Sequence, residues 1–152
     1  MFSASHLGKW ENLYKNLIEG ERIPFNETET WLLGDKPGII AIFESDEVIY
    51  LTSTLNIVKE IQQFLKSDNL HEFRKMGAIV DLGISMVSVG KGIKSKNTTL
   101  RIDKKIKDFK FRIVPIRNNI KDRVSEAFIA VADPRYNGPT TRSNLAIDNL
   151  PK

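Results

Sequence analysis

The succession of apolar runs along this 152-residue chain predicts an α+β fold, a small, mostly antiparallel central sheet flanked by helices in a single domain. Two branched-aliphatic runs, Gly38–Phe43 and Val48–Leu51, lie close enough together to form a hairpin across the polar stretch Glu44-Ser45-Asp46-Glu47. Segments with helical apolar spacing precede and follow that hairpin, so strands and helices alternate. A hydrophobic content of 41% is enough to bury a core, and the length is near that of one ordinary domain.

Taken in order, Leu7, Trp10, Leu13, Tyr14, Leu17 and Ile18 recur at helical spacing, which predicts a helix over Ser5–Gly20 that Gly20 can end. Pro24–Asp35 reads as irregular, with Trp31-Leu32-Leu33 as an apolar anchor before the turn Gly34-Asp35-Lys36-Pro37. After the hairpin, Ser53 or Thr54 caps a helix with Ile57, Ile61, Phe64 and Leu65 inward. Asp68–Arg74 is a polar connection or short helix, and Ala78–Val89, with its branched residues, reads as a strand broken by Gly90-Lys91-Gly92. Asn97 or Thr98 caps a helix running to about Phe109. A strand follows with Phe111, Ile113 and Ile116, then a helix from about Ile120 to Ala132 that ends before Pro134. Residues 1–36 form an N-terminal helix and connection, 37–137 the main domain, and 138–152 a tail.

The absence of cysteine excludes disulfides, thiolate metal sites and cysteine nucleophiles. No segment has the pattern of a signal peptide or the length of a membrane span, which predicts a cytoplasmic protein without membrane contact. Charge is distributed unevenly. Between Lys91 and Arg123 twelve Lys/Arg face three Asp, while the rest of the chain carries eleven cations against sixteen carboxylates. Such asymmetry focuses positive potential on one side and favours a polyanionic partner there. Lys94, Lys96, Arg101, Lys104, Lys105, Lys107, Lys110 and Arg112 are the candidate phosphate contacts.

Gly38-Ile39-Ile40 in the first strand, Tyr50-Leu51-Thr52 in the second, Glu126 in the late helix and Asn137 after Asp133-Pro134-Arg135-Tyr136 form one ordered set. Together these positions resemble the GIY-YIG nuclease family, over roughly Pro37–Asn137. In that family two strands carry the name-giving tripeptides, tyrosines orient the nucleophile, a helical arginine contacts phosphate and one glutamate holds the metal. The resemblance implies a catalytic role for Tyr50 and Mg²⁺ at Glu126, with Asn137 a polar residue near the site. Ile40 stands where the first tyrosine belongs and brings no hydroxyl, and Thr52 replaces a glycine. Glu60 falls at the arginine position and would repel phosphate, and Phe64 falls at a histidine position. Lys59 is adjacent to Glu60, but one helical step turns a side chain by about 100°.

The expectation is therefore a catalytically degenerate GIY-YIG-like domain that binds DNA or another nucleic acid, in a phage or mobile-element setting. A rearranged, Mg²⁺-dependent endonuclease using Tyr50, Lys59 or Arg74, and Glu126 is the first alternative. The second is an inhibitor or immunity-type module that meets a basic protein partner through Glu44, Asp46, Glu47 and Glu60. His6 and His71 have no evident partner in the sequence.

Overall fold

A computed structural model describes residues 2–25, 34–65, 71–89 and 92–137. Strands β2 (Gly38–Glu44) and β3 (Glu47–Thr54) form the expected hairpin. Its turn places Ser45 at φ +52°. Arg22 fastens the turn, donating to the Ser45 carbonyl at 2.7 Å and to Asp46 at 3.0 Å, with its guanidinium 4.1 Å above the Phe43 ring. On its other side β2 pairs with β4 (Lys110–Pro115), and β4 pairs with the two-residue β1 (Ile23–Pro24). The result is a four-stranded antiparallel sheet in the order β1-β4-β2-β3.

The central strand explains the two-layer core. Successive side chains of a strand point to opposite faces, and β2 is apolar at every position from Ile39 to Phe43, so both faces must be covered. On one face Ile40, Ile42 and Tyr50 meet α2 (Ile57–Leu65), α3 (Glu72–Val80) and α5 (Lys96–Asp108) through Ile61, Phe64, Phe73, Ile102 and Ile106. On the other, Ile39, Ala41, Phe43 and Leu51 meet α1 (Glu11–Glu19) and α6 (Asn118–Ala132) through Leu17, Val124, Phe128 and Ile129. Each such aliphatic or aromatic side chain contributes about 1.5–3 kcal/mol on full burial. Leu7 and Leu17 belong to the second half-core, so the N-terminal segment is part of the same unit.

Several local expectations are corrected. The N-terminal helix is not continuous: a 3₁₀ segment, Ala4–Trp10, kinked internally at Gly8 where φ is +57°, precedes α1. The strand expected over Ala78–Val89 is instead the end of α3 followed by the single turn α4 (Met86–Val89). Phe73, Met76 and Gly77 repeat at helical spacing and are buried, and this outweighs the β-preference of Ile79 and Val80. Gly77 permits close helix packing, since a β-carbon there would stand 3.2 Å from Ile102 and 3.4 Å from Tyr136. Asn56 rather than Ser53 or Thr54 caps α2, accepting from the Lys59 amide at 3.0 Å. Ser95 rather than Asn97 or Thr98 caps α5, accepting from the Thr98 amide at 3.3 Å. Trp31-Leu32-Leu33, Gly90-Lys91 and the tail 138–152 lie outside the described residues. Among the described residues no helix is long and apolar enough to cross a membrane.

Candidate nucleic-acid interface

Four of the positions that carry the family resemblance have local structural work. A β-carbon on Gly38 would lie 2.6 Å from both the Ile57 side chain and the Val114 carbonyl, so packing alone demands glycine there. Tyr50 is only 5% exposed and packs against Phe64 and Phe73, with ring centroids 6.1 and 5.2 Å away. Burial pushes its hydroxyl well above the usual phenol range, against an opposing hydrogen bond from Thr52. Such a group does not supply phenolate near neutral pH. Asn137 is buried and joins Leu51 at both backbone groups, accepting from its amide and donating to its carbonyl, each at 2.7 Å. Just before it, the Tyr136 amide donates to the Ile49 carbonyl at 2.8 Å.

Glu60, at the position of the family's arginine, accepts from His71 Nε2 at 2.8 Å. His71 Nδ1 accepts the Phe73 amide at 3.2 Å and so caps α3, which assigns the ring proton to Nε2. This pairing was not visible in the sequence because the two residues sit on different helices.

Tyr50, Lys59 and Glu126 are not brought together. Lys59 is exposed on the side of α2 turned away from Ile57, Ile61 and Phe64. Glu126 is exposed on α6, whose buried Val124, Phe128 and Ile129 face the sheet from the side opposite Tyr50. Among the described residues no group of three or more His, Cys, Asp and Glu side chains is arranged to hold a metal ion, at Glu126 or elsewhere. Arg74, the alternative phosphate ligand, is fully buried. Its Nη2 donates to Asp103 at 2.5 Å, and its Nε has no partner among the described residues.

The eight basic candidates divide in two. Lys105 lies 3.6 Å from Asp81 and 3.9 Å from Glu44, and Arg112 donates to the backbone carbonyls of Asn16 and Glu21, each at 3.0 Å, and to the Asn16 side chain. Both are committed to holding the fold. Lys94, Lys96, Arg101, Lys104, Lys107 and Lys110 are exposed, and their side chains make no hydrogen bond or ion pair among the described residues. Helical geometry, with about 100° per residue, places Lys96, Leu100, Arg101, Lys104 and Lys107 on one solvent-facing arc of α5. Asp108 is its one exposed carboxylate. Opposite them Ile102 and Ile106 enter the core, so packing fixes which way the cations point.

Sequence reasoning missed a polar network at the end of α6. Asp133 there adopts left-handed φ (+50°), and the chain turns so that Arg135 reaches three carboxylates. Its guanidinium contacts Asp81 at 3.1 Å, Glu44 at 3.0 Å and Glu47 at 3.1 Å, and the Tyr136 hydroxyl also donates to Asp81. Burial opposes ionisation of Asp81, but the hydrogen bonds from Arg135 and Tyr136 and the charges of Arg135 and Lys105 prevail and hold its pKa below the usual value. The carboxylates expected to meet a basic protein are thus engaged internally: Glu44 and Glu47 with Arg135, Asp46 with Arg22, and Glu60 with His71.

No protein-family model, curated protein or solved structure matches the chain.

Proposed function

We propose that this chain is a nucleic-acid-binding domain on a GIY-YIG-like frame whose catalytic site has been retired, with DNA or RNA phosphates held along the exposed arc of α5. The observation that carries the reading is the set of six exposed cations whose side chains have no partner among the described residues, four of them on one rigid helix. Cations presented in this way neutralise phosphates and release condensed counterions, which gives affinity without sequence readout. Separation of Glu126 from Tyr50 and Lys59 by the sheet supports the retired site, since removing even one charge-stabilising donor typically costs about 10²–10³ in rate.

The test is fluorescence anisotropy with labelled single- and double-stranded oligonucleotides at low salt. Binding by the wild type that disappears in Arg101→Glu/Lys104→Glu/Lys107→Glu, with an unchanged thermal melt, supports the reading. No binding by the wild type, or undiminished binding by the triple variant, refutes it. Mg²⁺-dependent cleavage that is lost in Glu126→Ala would refute the retired site and restore the endonuclease reading.

A further inference from the structure

The basic arc of α5 borders a groove of about 590 Å³ whose apolar walls are Phe25, Leu65, Leu100 and Ile106 and whose rim carries Lys104 and Lys107. Two features set it apart from a surface that merely attracts phosphate. Leu100, 66% exposed, shares the lining with Phe25, Leu65 and Ile106, so the exposed apolar surface is a contiguous patch and not one isolated side chain. Phe25 is half-buried and its ring orientation is fixed by Phe111 at 4.9 Å and Phe64 at 6.4 Å, so its aromatic surface is rigidly presented. Asp103, the acidic residue in the lining, is tied to the Arg74 guanidinium at 2.5 Å, which offsets its repulsion of an anion.

We infer that the groove receives an unpaired base of a single-stranded polynucleotide, with the adjacent phosphates on Lys104 and Lys107. This rests on the nucleic-acid reading above and narrows it to a class of substrate. In a duplex the base faces are stacked on one another, and only the phosphate rail is offered to the protein. A single strand can swing a base from the rail onto an aromatic or aliphatic surface, the pairing of charge and apolar area that the groove supplies. Lys104 and Lys107 lie one and two turns beyond Leu100 on the same side of α5, so rail and apolar wall run together.

The experiment compares short oligo-dT, oligo-rU and a duplex of equal length by anisotropy at one salt concentration, using wild type, Phe25→Leu and Leu100→Gln. The expected result is tighter binding of the single strands. Phe25→Leu, which keeps an apolar side chain and removes the aromatic face, should weaken that binding by about 5- to 150-fold while leaving duplex binding unchanged. Leu100→Gln should weaken single-strand binding in the same selective way. In parallel, wild-type protein is photo-cross-linked to 5-bromouracil-substituted oligonucleotide and the adducts are mapped by mass spectrometry. Adducts in the peptides containing Phe25 and Leu100 are expected, and this readout does not depend on any variant folding.

Equal affinity for single strand and duplex, or adducts confined to other peptides, would overturn the groove while leaving the basic-face reading intact. Absence of binding to every oligonucleotide would overturn both. Preference between the dT and rU strands distinguishes DNA from RNA as the source of the unpaired base.

Discussion

Replacing Asn137 with alanine should destabilise the domain out of proportion to the few atoms removed. The side chain satisfies two backbone groups of one buried residue, accepting from the Leu51 amide and donating to its carbonyl at 2.7 Å each. Leu51 sits opposite Ala41 in the hairpin and directs both groups away from β2, so no strand partner can replace the amide. Leaving a buried donor or acceptor unsatisfied costs about 1–3 kcal/mol, and two of them cost about 2–6 kcal/mol. At about 2–4 °C per kcal/mol for a chain of this size, the melting temperature should fall by about 4–24 °C. Thermal denaturation followed by circular dichroism measures the fall, and hydrogen exchange at the Leu51 amide reports it locally. Asn137→Asp adds a control with a definite sign. Its carboxylate would oppose the Leu51 carbonyl and its folded-state pKa would be raised, so its stability relative to wild type should improve as pH is lowered. A melting temperature for Asn137→Ala equal to that of wild type, with Leu51 still protected, would refute the argument.

Three further outcomes follow from other contacts. Asp103→Ala leaves the wholly buried Arg74 guanidinium without its counter-charge. The loss should be about 3 kcal/mol, at the low end for a broken buried pair because the Asp103 side chain is 30% exposed, and urea denaturation measures it as a lower midpoint. The Asp81 pKa is held below its unfolded value by Arg135 and Tyr136 against the opposing effect of burial, so the stability it contributes is present above about pH 4 and is lost as pH falls through the folded-state value. Asp81→Asn should therefore be less stable at neutral pH and show a shallower acid limb when melting temperature is plotted against pH. Lys104→Gln/Lys107→Gln removes two phosphate contacts, and the slope of log affinity against log salt should become shallower by about 1.4–1.8.

The hairpin, the strand at Phe111–Ile113 and the last helix were legible because each is written in a local pattern of a few consecutive residues. The region from Glu72 to Val89 was not. Ile79, Val80, Val87 and Val89 suggest a strand one by one, whereas the buried helical face is set by Phe73, Met76 and Gly77, which meet partners on α5 and at Tyr136 far along the chain. The site divided in the same way. Positive charge could be counted in the sequence, but which cations were free could not. Arg112 is consumed by carbonyls of Asn16 and Glu21, and Lys105 by Glu44 and Asp81, all through tertiary contacts. Likewise Glu60 and His71, each plain in the sequence, become a pair only when α2 and α3 pack together.

The way the sheet is bordered constrains how this protein can meet other proteins. A β-sheet ordinarily recruits partners, or its own misfolded copies, by offering unpaired main-chain groups to an incoming strand. Here Ile49 and Leu51 are occupied by Tyr136 and Asn137, while β4 is bordered by a two-residue strand that ends in proline, a residue with no amide hydrogen to donate. Strand addition and runaway edge-to-edge stacking are therefore disfavoured where these groups are filled. If the Pro134–Asn137 stretch were prised loose, β3 would become a docking rail, and self-association would be the first symptom of damage at the end of α6.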